Sequence, residues 1–398
     1  MTKITQQLDT LLVTGSTLHD YEKKTGAVNI PIYASSTFDQ SSFDSFGPFD
    51  YSRSGNPTRD ALEKTIARLE NGHRGFAFSS GIAAITATLL TLNAGDHLVI
   101  TNEVYGGTYR FVTTLLPKYG ISHSFADFTD LAAVEAAIQP NTVVLYAETP
   151  ANPLLGITDI RGVVALAQKY HLKTFVDNTF MTPLYQQPLA LGVDVVLHSA
   201  TKFLGGHSEV IAGLAITKDE EMSKAIYAIQ NGMGAILSPH DSFSVIQGIK
   251  TLRARLDFSS RNAQKIAEFL HAHEDVVDVY YPGLPCHIGY AIHQSQSTSA
   301  GAVLSFTLPT KQFTQLVVEH MTIPIFAVSL GGVESILSYP PTMSHAAIPL
   351  AERQARGITD GLLRLSVGLE NVDDLIADLS QALAIAATTT ANMNTTAQ

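Results

Sequence analysis

The sequence predicts an α/β protein: an open, mostly parallel sheet in a large domain, followed by a smaller α+β domain. Three observations carry this. Between about residue 60 and residue 245, short β-branched runs alternate with helical patterns. Those runs are apolar throughout rather than alternating with polar residues, as strands buried on both faces are. Near residue 245 the alternation stops at a long helical stretch, and beyond it strands and helices mix.

In chain order, residues 1–45 hold too little periodic structure for a core and read as an arm that packs on something else, such as a neighbouring subunit. In ALEKTIARLE, Leu62, Ile66 and Leu69 share one helical face. GIAAITATLLTLNAG, residues 81–95, reads as a buried helix, too short and too rich in Thr to span a bilayer. Candidate strands are HLVIT (97–101), VVLYAE (143–148), TFVDNT (174–179), DVVLHS (194–199) and GLAIT (213–217). A helix, ITDIRGVVALAQKYH, falls between the second and third of these. The stretch SFSVIQGIKTLRARLDFSSRNAQKIAEFLHAH bridges to a second domain, where DVVDVYYPG, GAVLSFTL and LLRLSVGLE are strand candidates. The expected divisions are therefore an arm over 1–45, a ligand-binding α/β domain over 46–245 and an α+β domain over 246–398. The end, TTTANMNTTAQ, small, polar and uncharged, reads as a frayed tail.

Composition narrows the function. The chain has 398 residues, 45% of them hydrophobic, enough for more than one core. A net charge of −11 without a basic cluster argues against nucleic acid and anionic membranes as partners. Cys286 is the single cysteine, so no internal disulfide framework exists, which fits a reducing compartment. With no signal-peptide-type segment in MTKITQQLDT, a cytoplasmic location is expected.

Ligands of open α/β sheets bind at the carboxyl ends of the strands. VVLYAETPANP ends in Glu148 and Asn152, TFVDNTF in Asp177, Asn178 and Thr179, and DVVLHSATK in Ser199, Thr201 and Lys202. An acid, an amide, hydroxyls and a lysine thus converge on one mouth. The turn FSSGIAA (78–84) opens the apolar helix, so the N–H groups of Gly81 and Ile82 offer an anion site of the kind that takes phosphate. GxGxxG and Walker A patterns are absent, which weakens dinucleotide and nucleoside-triphosphate readings. Pyridoxal phosphate (PLP) needs what remains: a lysine for its aldehyde, an acid for its pyridinium nitrogen and a cradle for its phosphate. In CHIGYAIH, Cys286, His287 and His293 match no common zinc spacing, and no metal is expected.

The chain resembles the Cys/Met-metabolism family of PLP enzymes. The likeness runs from GAVNIPIYASSTF through YSRSGNPTR, SSGIAA, VYGGTYR, ETPANP, VDNTF, SATKFLGGH and SLGGVES to LLRLSVGLE. It implies the fold-type-I PLP-dependent transferase-like architecture and a homotetramer of two tight dimers with shared active sites. By resemblance, Lys202 is the Schiff-base lysine and Asp177 the partner of the pyridinium nitrogen. Gly81, Ile82, Ser199 and Thr201 match the phosphate cradle, and Tyr51 and Arg53 match residues that reach the phosphate from the neighbouring subunit. Tyr105 matches the tyrosine that stacks on the ring and serves as acid for the leaving group. Arg364 matches the arginine for the substrate α-carboxylate, with Asn152 and Ser329 as helpers. After YPGLP the CHIGYAIH stretch departs from the family's usual sequence.

The family divides by substrate and by the bond cleaved. Gly107 stands where methionine γ-lyases carry a cysteine, and Leu330 where cystathionine β-lyases carry a bulky aromatic. The resemblance therefore implies cystathionine γ-lyase, releasing cysteine, 2-oxobutanoate and ammonia, with β-elimination from cysteine or cystine as a side activity. Glu334 is a candidate for the distal amino group of cystathionine. The alternatives are γ-replacement, as in cystathionine γ-synthase or O-acetylhomoserine sulfhydrylase, and a catalytically silent binding or regulatory protein on the same scaffold. Retention of Lys202 and Asp177 speaks against the silent form.

Overall fold

A computed structural model describes residues 6–17, 26–346 and 348–396. Seven strands form the larger sheet: β1 (Arg74–Phe78), β2 (His97–Thr101), β3 (Ser122–Ala126), β4 (Thr142–Glu148), β5 (Lys173–Asp177), β6 (Val195–Ser199) and β7 (Gly213–Thr217). Their spatial order is β1-β7-β6-β5-β4-β2-β3. The run from β3 to β6 is parallel, and β7 lies antiparallel to both β6 and β1. Each expected strand falls within a residue or two of its place. β1 and β3 are additions. β3 is a half-exposed edge strand reading SHSFA, whose polar residues hide it from a search for apolar runs.

Two apolar layers cover the sheet. On one face Val99, Leu145, Val176 and Val196 join the helices Pro57–Leu69 and Ile160–Tyr170. On the other, Ile100, Tyr146, Phe175 and Leu197 meet the helix Gly81–Leu89. Side chains of one strand thus enter both layers in alternation, which is why the strands read as apolar throughout.

The helix Pro239–His271 starts at Ser238, whose hydroxyl accepts the Asp241 N–H at 3.0 Å, with Pro239 in its first turn. Its first half, with Val245, Ile249 and Leu252, belongs to the core of the large sheet. Its second half, with Ala263, Ile266 and Leu270, belongs to the core of a smaller sheet. That sheet orders β8 (Asp278–Tyr280), β9 (Val303–Thr307), β10 (Ile325–Phe326), β11 (Ile336–Ser338) and β12 (Leu362–Ser366) as β10-β11-β12-β9-β8. The helices Lys311–His320 and Val372–Thr396 pack on it. The last of these corrects the expected frayed tail: Leu375, Leu379, Leu383 and Ala386 are buried on one face, and the helix continues through TTTANMNTT.

The expected arm lies partly outside the described residues. Within them, Leu8–Thr14 is a short helix, and Leu12 and Ile30 are buried in the core of the large sheet. Phe43 and Phe46 are exposed. No helix among the described residues is long and apolar enough to cross a membrane.

Candidate active site

The ends of β4, β5 and β6 lie side by side, with Glu148 in register with Asp177 and Asp177 with Leu197. Asp177 is buried. Its Oδ1 accepts hydrogen bonds from the Thr179 N–H at 3.0 Å and the Thr179 hydroxyl at 2.5 Å, and Oδ2 has no partner among the described residues. Burial pushes the carboxyl up, and the two Thr179 bonds and His198 pull against it. The Thr179 oxygen also accepts the Ser199 N–H at 2.8 Å, which ties the end of β5 to the end of β6.

The helix Gly81–Leu89 begins against this edge. Ser80 caps it by accepting the Ala83 N–H at 3.1 Å, leaving the N–H groups of Gly81 and Ile82 outside the helical ladder. A Cβ on Gly81 would sit 2.9 Å from Ser199 Cβ, so only glycine brings the helix start this close to the end of β6. Gly81, Ile82 and Ser199 thus come together next to the end of β5, an arrangement able to take an anion. Thr201 belongs to the same turn, but its hydroxyl donates to the Ala212 carbonyl at 3.2 Å and accepts the Ala212 N–H at 3.0 Å. To donate to a phosphate it would have to turn its single proton away from Ala212.

Lys202 follows β6, and its Nζ donates to Ser329 Oγ at 2.7 Å. Burial, and then the charge of Arg364, push the amine down to about 8. Arg364 lies on the central strand β12 and is buried. It donates from Nη1 to Asn152 Oδ1 at 2.7 Å, and from Nη2 to the Ser329 carbonyl at 2.7 Å and Ser338 Oγ at 3.2 Å. All three acceptors are neutral, and its Nε has no partner. A buried guanidinium without a carboxylate partner is suited to an incoming anion. Lys202, Ser329, Asn152 and Arg364 therefore form one connected group spanning the two sheets.

Tyr105 stands at the mouth, half exposed, where it precedes the short helix Gly106–Arg110. A Cβ at Gly107 would lie 2.4 Å from Tyr105 Cε1, so any side chain there would displace the ring from this position. Glu334 accepts from Ser208 Oγ at 3.3 Å on the rim. Tyr51 and Arg53 are not drawn into the group. Arg53 donates to the Asn231 carbonyl at 2.8 Å and lies over the Tyr51 ring, whose outer face is exposed.

Three contributors have no sequence signal. Ser338 meets Arg364 through the pairing of β11 with β12. His345, in an irregular loop, touches the Asn152 carbonyl at 3.2 Å, and burial followed by Arg364 pushes its ring down to about 4. Glu70 pairs with His198 at 2.7 Å beneath the sheet and accepts from Asn178 at 3.2 Å. In CHIGYAIH, the rings of His287 and His293 are tied to the carbonyls of Leu155 and Ser299, while Cys286 is exposed. No group of three or more metal-ligating side chains occurs among the described residues.

The family model for Cys/Met metabolism PLP-dependent enzymes matches residues 9–384. The chain belongs to this family. It is 60% identical over 359 residues to a cystathionine β-lyase of Bacillus subtilis, covering 90% of this chain and 92% of that one. To the cystathionine γ-lyase of the same organism it is 46% identical over 374 residues, covering 94% and 98%. A solved cystathionine γ-lyase of Lactobacillus plantarum, complexed with L-serine, superposes with a TM-score of 0.92 at 45% identity, covering 95% of this chain and 99% of that one. The fold is the fold-type-I PLP architecture, and the cofactor is pyridoxal 5′-phosphate. The residues present fit it: a partly freed amine on Lys202, an open oxygen on Asp177 and a helix start at Gly81 that only glycine lets pack against Ser199.

Proposed function

We propose that this PLP-dependent carbon–sulfur lyase acts on cystathionine and breaks the Cβ–S bond, releasing homocysteine, pyruvate and ammonia. The observation that carries the choice of bond is the comparison within one organism. The identity is 60% to the B. subtilis β-lyase and 46% to its γ-lyase, with similar coverage of this chain, 90% and 94%. Cleavage on the γ side, to cysteine and 2-oxobutanoate, is the second reading. It is favoured by Leu330 in SLGGVES and by the likeness to the L. plantarum enzyme.

Arg364, steadied by Asn152, Ser338 and the Ser329 carbonyl, takes the substrate α-carboxylate. When bound, PLP supplies the electron sink for the carbanion at Cα. Gly81, Ile82, Ser199 and Thr201 would hold its phosphate, and the open oxygen of Asp177 would hold its ring nitrogen. Lys202 Nζ takes the Cα proton; with the free amine pushed down to about 8, a useful fraction is unprotonated near neutral pH. Tyr105, at the mouth, passes a proton from its hydroxyl to the departing sulfur. Glu334 meets the far amino group from the rim. Tyr51 and Arg53, which lie outside the hydrogen-bonded group of Lys202 and Arg364 within their own chain, serve the site of a second copy in a homotetramer of shared sites. A cytoplasmic setting fits this metabolism. Identifying the keto acid formed from cystathionine tests the proposal, with pyruvate the expected product and 2-oxobutanoate the result against it.

A further inference from the structure

Glu148 closes β4 and is buried, 6% exposed. Its Oε2 accepts the backbone N–H of Tyr105 at 3.0 Å, and its Oε1 accepts the backbone N–H of Asn152 at 3.2 Å. Tyr105 sits in the loop after β2, and Asn152 in the loop after β4. Asn152 in turn holds Arg364 through its side-chain oxygen at 2.7 Å. His345 also touches the Asn152 carbonyl at 3.2 Å, and the neighbouring Ser344 carbonyl lies 2.1 Å from where a Cβ on Gly106 would be. Two turns that carry different parts of the chemistry are thus fixed to one carboxylate.

We propose that Glu148 is a positioning residue: as a carboxylate it clamps the backbone at Tyr105 and at Asn152 together, setting the proton-donating tyrosine at a fixed distance from the arginine that takes the substrate carboxylate. This rests on the roles given above to Tyr105 and Arg364. A carboxylate suits the task because both oxygens are acceptors. On protonation the charge is lost and the oxygen that carries the hydrogen becomes a poor acceptor, so one arm of the clamp weakens. The charged and titratable groups around it are Asp177 on β5, Glu103 in the loop after β2, Tyr146 on β4 itself and Arg364 on β12. Burial, then Asp177, push Glu148 up to about 8, while the two N–H bonds pull the other way. The clamp is therefore strongest above that range and weakens as the pH falls through it.

The test uses the PLP-loaded enzyme with Glu148→Gln, beside Tyr105→Phe and Arg364→Ala. Glutamine keeps the size and one accepting oxygen but sets an NH2 against the second N–H. At about pH 9, above the range in which Glu148 takes up its proton, the expected result is normal cofactor absorbance and stoichiometry, a higher KM, and a kcat/KM about 10- to 100-fold lower, the scale of one lost hydrogen bond to a charged acceptor, with the deficit shrinking as the pH falls through that range. One inflection on the acid limb of the kcat/KM profile should also vanish. Wild-type kinetics with an unchanged profile overturn the inference, and so does loss of the cofactor, which would make Glu148 part of its support. If the Gln variant does not fold, Glu148→Asp decides. It keeps the charge but withdraws it from the N–H groups, so the inflection stays while kcat/KM falls; wild-type kinetics there overturn the inference. Impaired Tyr105→Phe and Arg364→Ala beside a normal Gln variant sink the clamp alone. Normal turnover in those two variants sinks the site reading itself.

Discussion

Lys202 Nζ donates a 2.7 Å hydrogen bond to the hydroxyl of Ser329, a residue held at φ +88°. The Ser329 carbonyl accepts from Arg364 at 2.7 Å, so one residue joins the lysine at the end of the large sheet to the arginine of the small one. A non-glycine residue at positive φ is uncommon and costs on the order of 1–3 kcal/mol, which the surrounding contacts must offset. The strain stands where the two halves of the proposed site meet.

The shift on Lys202 makes capture of the cofactor depend on pH. Only the neutral amine attacks the cofactor's aldehyde. Burial and Arg364 push this amine down to about 8, so below that value most of it is protonated and above it most is free. The rate at which apoenzyme takes up PLP, followed by absorbance, should rise with pH and level off above about 8. An ordinary lysine would go on rising toward about 10. Arg364→Gln removes a repelling charge, so the inflection should move upward. A rate that still climbs steeply above about 9 in the wild type would contradict the shift.

Gly331 is held at φ +81°, and a Cβ there would lie 2.6 Å from the Phe203 nitrogen and 2.9 Å from the Lys202 carbonyl carbon. Both obstacles are backbone and cannot swing aside. Gly331→Ala should therefore displace the Lys202 turn, at a cost of roughly 1–3 kcal/mol from the dihedral alone. The apparent Kd for PLP should rise at least about tenfold, with a lower Tm. Unchanged cofactor affinity would mean that the two loops are not pressed together in solution.

In their own chain Arg53 donates to the Asn231 carbonyl and lies over the Tyr51 ring, outside the hydrogen-bonded group of Lys202, Ser329 and Arg364. If they complete the site of a second copy, Lys202→Ala and Arg53→Ala should each be inactive alone. Refolding an equal mixture forms hybrid dimers with one intact site, restoring up to about a quarter of wild-type activity. Hybrids that form, by native mass spectrometry, and stay inactive would end the shared-site proposal.

The sequence made the sheet legible because its strands are buried on both faces: HLVIT and GLAIT occupy the places expected of them as β2 and β7. It missed β3, where Ser122, His123 and Ser124 lie on a half-exposed edge. It misjudged the end, because TTTANMNTT carries no apolar stripe of its own and continues a helix begun at Val372. Lys202, Asp177, Ser199 and Asn152 were readable because they stand at strand ends. Ser338 and His345 were not, since they reach Arg364 and Asn152 only through strand pairing and an irregular loop. The expectation of γ-side cleavage leaned on Leu330. That side chain is buried in the core of the large sheet, so its size reports packing as much as chemistry.

Analysis of the keto acid made from L-cystathionine tests the proposed reaction most directly. Purified PLP-loaded enzyme, with Lys202→Ala as the control, is incubated with the substrate, and its 2-oxo acids are separated as hydrazones by chromatography with mass detection. Cβ–S cleavage predicts pyruvate in equal amount to homocysteine, with no keto acid from the Lys202→Ala enzyme. Chiefly 2-oxobutanoate, with cysteine as its partner, would place the cut on the γ side and contradict the proposed reaction.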